Sequence, residues 1–325
     1  MTATGSEPTH EYDRDVVVVG GGPTGCSAGV FCAREGLDTV VFDRGRSSLR
    51  HCAHLENYLG FPAGVDVETF YGLMHEHVGA AGCALETDLV ESVDRADDGP
   101  GFRVAPQGGA PVTARRVVAA TRYDGEYLRG LDDDSAMFET DDHHGETRET
   151  FDSEYAARDG TTPVDGLYVA SPSTEADAQA IMAAGRGARV ARRVIADARI
   201  DDGWWEAVAD GVDWVRREAA LDDEWADRDR WVEWFDGYYG EDAPVDADSD
   251  RYRRVRAAAI DRSLSSYVAR DDLDERTAEA HAALGAHLDV DRLVDAVDDE
   301  TLLDAVDDDR IRDRAAELDA TRGGS

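Results

Sequence analysis

The residues best placed to do chemistry are three glycines spaced Gly20-x-Gly22-x-x-Gly25, with Asp43 farther along the chain. Glycine at these places lets a turn close tightly, lets a diphosphate approach the backbone and lets a helix pack against a strand. The free N–H groups and positive end of that helix then hold phosphate without a lysine, and the later acid accepts hydrogen bonds from ribose hydroxyls. The surroundings make the spacing informative. Val16-Val17-Val18-Val19 precedes it as a strand buried on both faces, and the small-residue run to Glu35 follows as a helix, with Gly36 at its left-handed end. Thr39-Val40-Val41-Phe42 supplies a second buried strand ending in Asp43, so the unit is βαβ with parallel strands and a right-handed crossover.

Other reactive side chains are weaker candidates. Cys52 is either a redox thiol, activated by Arg50 or His51, or a small residue in a packed loop. His51, Cys52 and His54 lack a fourth ligand at zinc spacing, and no metal is expected. His75 and His77, two apart on a helix, diverge and are expected at the surface. Cys26 and Cys32 are expected to fill the core. The acid runs at 132–134, 298–299 and 307–309 lack the EF-hand order and are read as solvated surface.

Further elements must carry these groups. Leu55 to Gly82 has a helical pattern, Leu89 to Ala120 contains three short strands, and 131–162 is acidic without a clean period, an expected loop. Gly166 to Ala170 forms a strand and Gln179 to Ala198 a helix. Composition shifts near 200, after which all six tryptophans occur. Trp205, Val208, Val212 and Val215, then Trp231, Trp234, Phe235 and Tyr238, keep helical spacing. The segment Leu293-Val294-Asp295-Ala296-Val297-Asp298-Asp299 recurs as Leu302-Leu303-Asp304-Ala305-Val306-Asp307-Asp308, two short amphipathic helices rather than a solenoid.

Charge narrows the function classes. Against 71 acidic residues stand 34 basic ones, every one arginine, for a formal net charge of −37, while 42% hydrophobic residues suffice for a core. Such a field repels nucleic acid and anionic lipid, and the self-repulsion is screened best in about 1 M salt, where the Debye length is about 3 Å. A salt-rich cytoplasm of an extreme halophile is therefore expected. Residues 1–13 are polar, read as a disordered tail without the pattern of a signal peptide, and no apolar run is long enough for a membrane span. The four cysteines are expected as thiols.

Two further segments carry a family resemblance. His54-Leu55-Glu56-Asn57-Tyr58-Leu59-Gly60-Phe61-Pro62, followed by Leu73-Met74-His75-Glu76-His77, resembles the thioredoxin reductase family, whose segment reads V-E-N-Y-P-G-F-P before a helix with a similar M-x-x-H stretch. Thr162 to Ala170, followed by Gln179-Ala180-Ile181, is similar to that family's closing FAD segment, in which a Q-A-I helix start approaches the flavin. The resemblance covers about 14–130 and 160–198. It implies FAD as cofactor, held by Gly20, Gly22, Pro23, Thr24, Gly25, Asp43, Arg44, Ser48, Asn57, Val90, Thr121, Arg122, Gln179 and Ala180. No catalytic residue is assigned. The implied architecture is α/β: a Rossmann-like FAD-binding domain over 14–200 in two halves, with a parallel sheet and a small antiparallel insert. An acidic, Trp-rich all-α domain follows over 201–325.

Three departures limit what the resemblance implies. Only 131–162 separates the halves where the family inserts an NADPH domain, and each βαβ unit alone takes about 30 residues. The family's CxxC pair is missing, so thioredoxin reduction through it is not expected. Arg122 stands where the family's A-T-G has glycine, either clamping the diphosphate or blocking it, and Ser171-Pro172 replaces Gly-Asp. Two functions remain: a flavoprotein oxidoreductase with an unassigned electron donor and acceptor, or a scaffold that keeps the nucleotide and has lost catalysis. The Trp-rich helices would cover the flavin or form a homodimer contact.

Overall fold

The computed structural model describes residues 12–322, apart from 98, 123–124, 144–145, 175–178, 212, 222 and 242. The disordered tail expected for 1–13 thus lies almost wholly outside the described residues. Asp13, which is described, accepts hydrogen bonds at 2.8 Å from the backbone N–H and the hydroxyl of Thr113.

The first strand, β1 (Arg14–Val19), runs into α1 (Pro23–Arg34) and returns as β2 (Thr39–Phe42), the βαβ unit expected from the glycine motif. Four consecutive valines are needed because both sheet faces are covered. Val16 and Val18 pack with Ala28, Val118 and Val194, whereas Val17 and Val19 pack with Phe102, Val117 and Leu128. Next come β3 (His54–Leu55), β4 (Val65–Asp66) and α2 (Val67–Ala80). The helix expected from Leu55 therefore starts at Val67: Asp66 caps it by accepting from Thr69 N, and the antiparallel β3–β4 pair occupies the residues before it.

After α2 come β5 (Ala84–Glu86), β6 (Val90–Arg95), β7 (Phe102–Pro106) and β8 (Val112–Ala120). The main sheet has the order β5-β2-β1-β8-β7-β6, parallel up to β8 and antiparallel beyond it. Its seventh strand, β11 (Leu167–Ser171), pairs in parallel with the C-terminal half of β8. Between β8 and β11 the expected loop proves to be α3 (Asp134–Met137) and an antiparallel hairpin, β9 (Phe138–His143) with β10 (Glu146–Phe151). The acidic strands show no apolar alternation, and among the side chains described the hairpin is anchored at its base. There Met137, Phe138 and Phe151 bury into the core, with the two phenyl rings edge to face at 5.6 Å.

The helix α4 (Ala180–Asp201) packs against α1. A Cβ on Gly187 would come within 2.0 Å of Thr24 O, so glycine permits this approach. Farther along, Glu35 at the end of α1 accepts from Arg199 in α4, so the helices run side by side in one direction. Beyond α4, α5 (Glu206–Ala209), β12 (Arg216–Arg217), α6 (Asp223–Ala226), α7 (Arg228–Tyr239), α8 (Asp250–Ser265) and β13 (Tyr267–Val268) gather around Trp205, Trp231, Phe235 and Tyr252. Trp205 stacks on Tyr252 with ring centroids 5.6 Å apart. Two members of the expected helical stripe depart from it: Val215 is 48% and Tyr238 69% exposed.

The composition shift at 200 is not a break in compactness. By contacts the first unit extends to Asp274, because Arg199 and Arg262 share Glu35 and Arg34 pairs with Asp213, tying the helical region to α1. The second unit is Glu275–Ser325. It takes in the end of α9 (Arg270–Ala286), then α10 (Val290–Ala296), α11 (Asp299–Ala305) and α12 (Asp308–Arg322), and none of its described residues is buried. The recurring segment forms α10 and α11.

Candidate cofactor site

The glycine turn is shaped by contacts that exclude side chains. Gly20 has φ +120°, and a Cβ there would lie 2.5 Å from Ala120 O at the end of β8. A Cβ on Gly25 would lie 1.7 Å from Gly20 O, so the helix start presses onto the end of β1. Gly22 is the N-cap of α1, Pro23 fills the first helical position, and no side chain caps this end. An anion arriving there meets the first-turn amides and the positive end of the dipole.

Asp43, at the end of β2, is buried and touches the same turn. A Cβ on Gly21 would sit 2.2 Å from Asp43 Cβ. One carboxylate oxygen accepts from Gly45 N at 2.9 Å, and the other lies 3.5 Å from His75 Nε2. His75 Nε2 is also 3.3 Å from Gly21 O, so His75 is half-buried behind the turn and not at the surface as expected. Its ring meets Tyr71 edge-on at 4.8 Å. The apolar stripe Phe70, Tyr71, Met74 and Val78 on α2 was a signal that the neighbouring His75 also turns inward.

From the cradle an open trench of about 1370 Å³, its solvent mouth included, runs along the carboxyl ends of the strands. Gly20, Gly22, Pro23, Thr24, Asp43, Arg44, Ser48, Val90, Thr121, Arg122, Gln179 and Ala180 all line it. Gly25 lies beneath the turn and Asn57 is joined through its neighbour: Asn57 Nδ2 donates to Gln179 Oε1 at 2.7 Å, across 122 positions of sequence. Sequence reasoning missed Arg46, Ser47 and Asp88 in the walls. No motif marked them, because their loops become neighbours of the turn only in the fold. Ser171, buried in the lining, stands where the resemblance has glycine, and Pro172, where it has the aspartate, offers no carboxylate.

Cys52 is exposed and lines the trench, whereas Cys26, Cys32 and Cys83 are buried. Burial pushes each of these three thiols up to about 12, and Cys26 Sγ donates to Gly21 O at 3.2 Å. Among the described residues no three His, Cys, Asp or Glu side chains form a metal cluster, and no helix is long and apolar enough to cross a membrane.

The Trp-rich helices do not cover this site. They dock at Glu35, the C-terminal end of α1, while the cradle lies at its N-terminal end, and about 18 Å of helix separates the two. Among the described residues, none beyond Ala183 lines the trench. The expected cover over the flavin is therefore overturned by the direction of α1.

A cradle that a Cβ would fill, an uncapped helix start, a buried acid beside it and a long open trench fit an extended dinucleotide. Comparison with known proteins agrees: residues 15–54 match the family described as an FAD binding domain, which makes the cradle an FAD-binding element. The bifunctional thioredoxin reductase/thioredoxin of Mycobacterium leprae is 34% identical over 123 residues, 37% of this chain and 26% of that protein. The thioredoxin reductase of Dictyostelium discoideum is 26% identical over 118 residues, 34% of this chain and 37% of that protein. The chain thus spans little more than a third, at most, of these relatives. Among solved structures, a thioredoxin reductase from Gloeobacter violaceus aligns with TM-score 0.48 at 17% identity, over 63% of this chain and 98% of that one. One from T. acidophilum aligns with TM-score 0.45 at 17% identity, over 58% and 100%.

Proposed function

We propose that this chain is an FAD-dependent oxidoreductase of thioredoxin reductase-like build that works without a CxxC pair. The observation that carries this reading is that one trench is lined both by the glycine cradle and by Gln179, to which Asn57 donates. The first-turn amides of α1 would hold the diphosphate and Asp43 the ribose hydroxyls. Asn57 and Gln179, each locked by the other, would present amide groups to the ring. Bound FAD supplies the hydride and electron chemistry, and the chain supplies position and solvent exclusion. Among the described residues, a short 3-10 turn, α3 and one hairpin stand between β8 of one half of the domain and β11 of the other. Electrons would accordingly come from a protein donor, a diffusing reductant or the substrate itself. The charge of −37 on a chain without lysine supports work in a salt-filled cytoplasm, that of a halophile.

Arg122 across the trench and Pro172 in place of a carboxylate favour a second reading, a scaffold that has lost turnover and holds FAD or an ADP-like ligand as a structural prop. One experiment separates the two. Protein purified in molar salt should show a flavin spectrum or take up added FAD. After reduction with dithionite, an acceptor such as a quinone or a disulfide should reoxidise it faster than free flavin. A colourless protein that takes up no FAD removes the oxidoreductase and favours the scaffold, as does bound flavin reoxidised no faster than free flavin.

A further inference from the structure

We infer that Arg122 is a strap over the diphosphate cradle, bonded to Ser48 at rest and transferred to phosphate when a dinucleotide binds. This deepens the FAD reading above and rests on it.

The position follows from three contacts. A Cβ on Gly20 would lie 3.4 Å from Thr121 Cγ2, so Thr121 stands against one lip of the glycine turn. A Cβ on Gly22 would lie 3.1 Å from Ser47 Oγ, so Ser47 stands against the opposite lip. Arg122 follows the first residue and Ser48 the second, and Arg122 Nη1 donates to Ser48 Oγ at 2.9 Å. That bond joins the two lips, carrying the guanidinium across the mouth where α1 begins uncapped.

Charge gives the strap its purpose. Asp43 and Asp88 line the same trench in a chain of net charge −37, and with no lysine in the chain the cations that offset them toward a diphosphate are the lining arginines Arg44, Arg46 and Arg122. A guanidinium presents a planar fork of donors suited to phosphate oxygens. Its bond to an anionic oxygen is roughly twice as strong as one to a neutral hydroxyl, so phosphate displaces Ser48 as acceptor. Arg122 is an exposed side chain rather than a plug packed into the cavity. The strap should therefore select ligands with a diphosphate over a flavin that lacks one.

The test measures dissociation constants for FAD, ADP and riboflavin by fluorescence and calorimetry at one fixed salt concentration. Relative to wild type, Arg122→Gly should weaken FAD and ADP by about ten- to a hundredfold, the range for losing one charge-assisted hydrogen bond. Riboflavin should stay within about twofold, and Arg122→Lys, which keeps the charge without the fork, should fall between. Ser48→Ala should speed FAD uptake by removing the resting partner. Equal or tighter FAD binding by Arg122→Gly overturns the strap, since a blocking arginine gives that result, and so does equal weakening of riboflavin. Uptake unchanged by Ser48→Ala overturns the resting bond. Wild-type protein that binds neither FAD nor ADP overturns the cofactor reading and the strap with it, whereas wild-type binding with an indifferent Arg122→Gly overturns the strap alone.

Discussion

At the scale of single residues, the site is built from side chains that are absent as much as from those present. Gly20 and Gly25 leave room for backbone to meet backbone, and Asp43 is pressed against Gly21. The cysteines divide sharply by environment. Cys26, Cys32 and Cys83 are buried thiols pushed up to about 12 by desolvation, so at pH 8 they remain protonated and inaccessible. Iodoacetamide at that pH should modify one thiol per native chain, Cys52, and all four after denaturation. Added FAD should slow the native reaction, because Cys52 lines the trench. Two or more thiols modified together in the native protein would contradict this burial. The glycines and Asp43 were legible in sequence because their spacing is local. The inward turn of His75 was not, since it depends on which face α2 sets against the turn.

At the scale of elements, α1 has two ends with different work. Its start forms the cradle, and at its finish Glu35 accepts from both Arg199 and Arg262. The side chains of Glu35 and Arg199 are 13% and 12% exposed. Glu35→Gln would leave two arginines facing each other with no carboxylate between them. It should cost about 3 kcal/mol of stability, read as a lower melting temperature at constant salt. FAD affinity should not change, because the hub lies a helix length from the cradle. Loss of FAD affinity with an unaltered melting temperature would show that the two ends are coupled. Strands of continuous valine and the helix opened by glycine could be read from pattern alone. The hairpin β9–β10 could not, for its polar strands carry no periodic signal and, among its described side chains, only Phe138 and Phe151 at its base are buried.

At the scale of the whole molecule, the first unit has its own cores and contains the entire trench. A chain ending at Asp274 should therefore fold, bind FAD with unchanged affinity and melt within about 2 °C of the full chain, since the second unit buries no described side chain. A large drop in melting temperature would mean that 275–325 stabilises the first unit. The sequence by itself determined the βαβ unit, the cradle and Asp43, and it marked Asn57 and Gln179 through a resemblance, because each signal lies within one short segment. Only the tertiary structure decided that Asn57 and Gln179 bond to each other, that Arg122 reaches Ser48, and that the tryptophans gather away from the trench. Those outcomes depend on how separate segments are brought together, as in the parallel packing of α1 on α4 through Gly187.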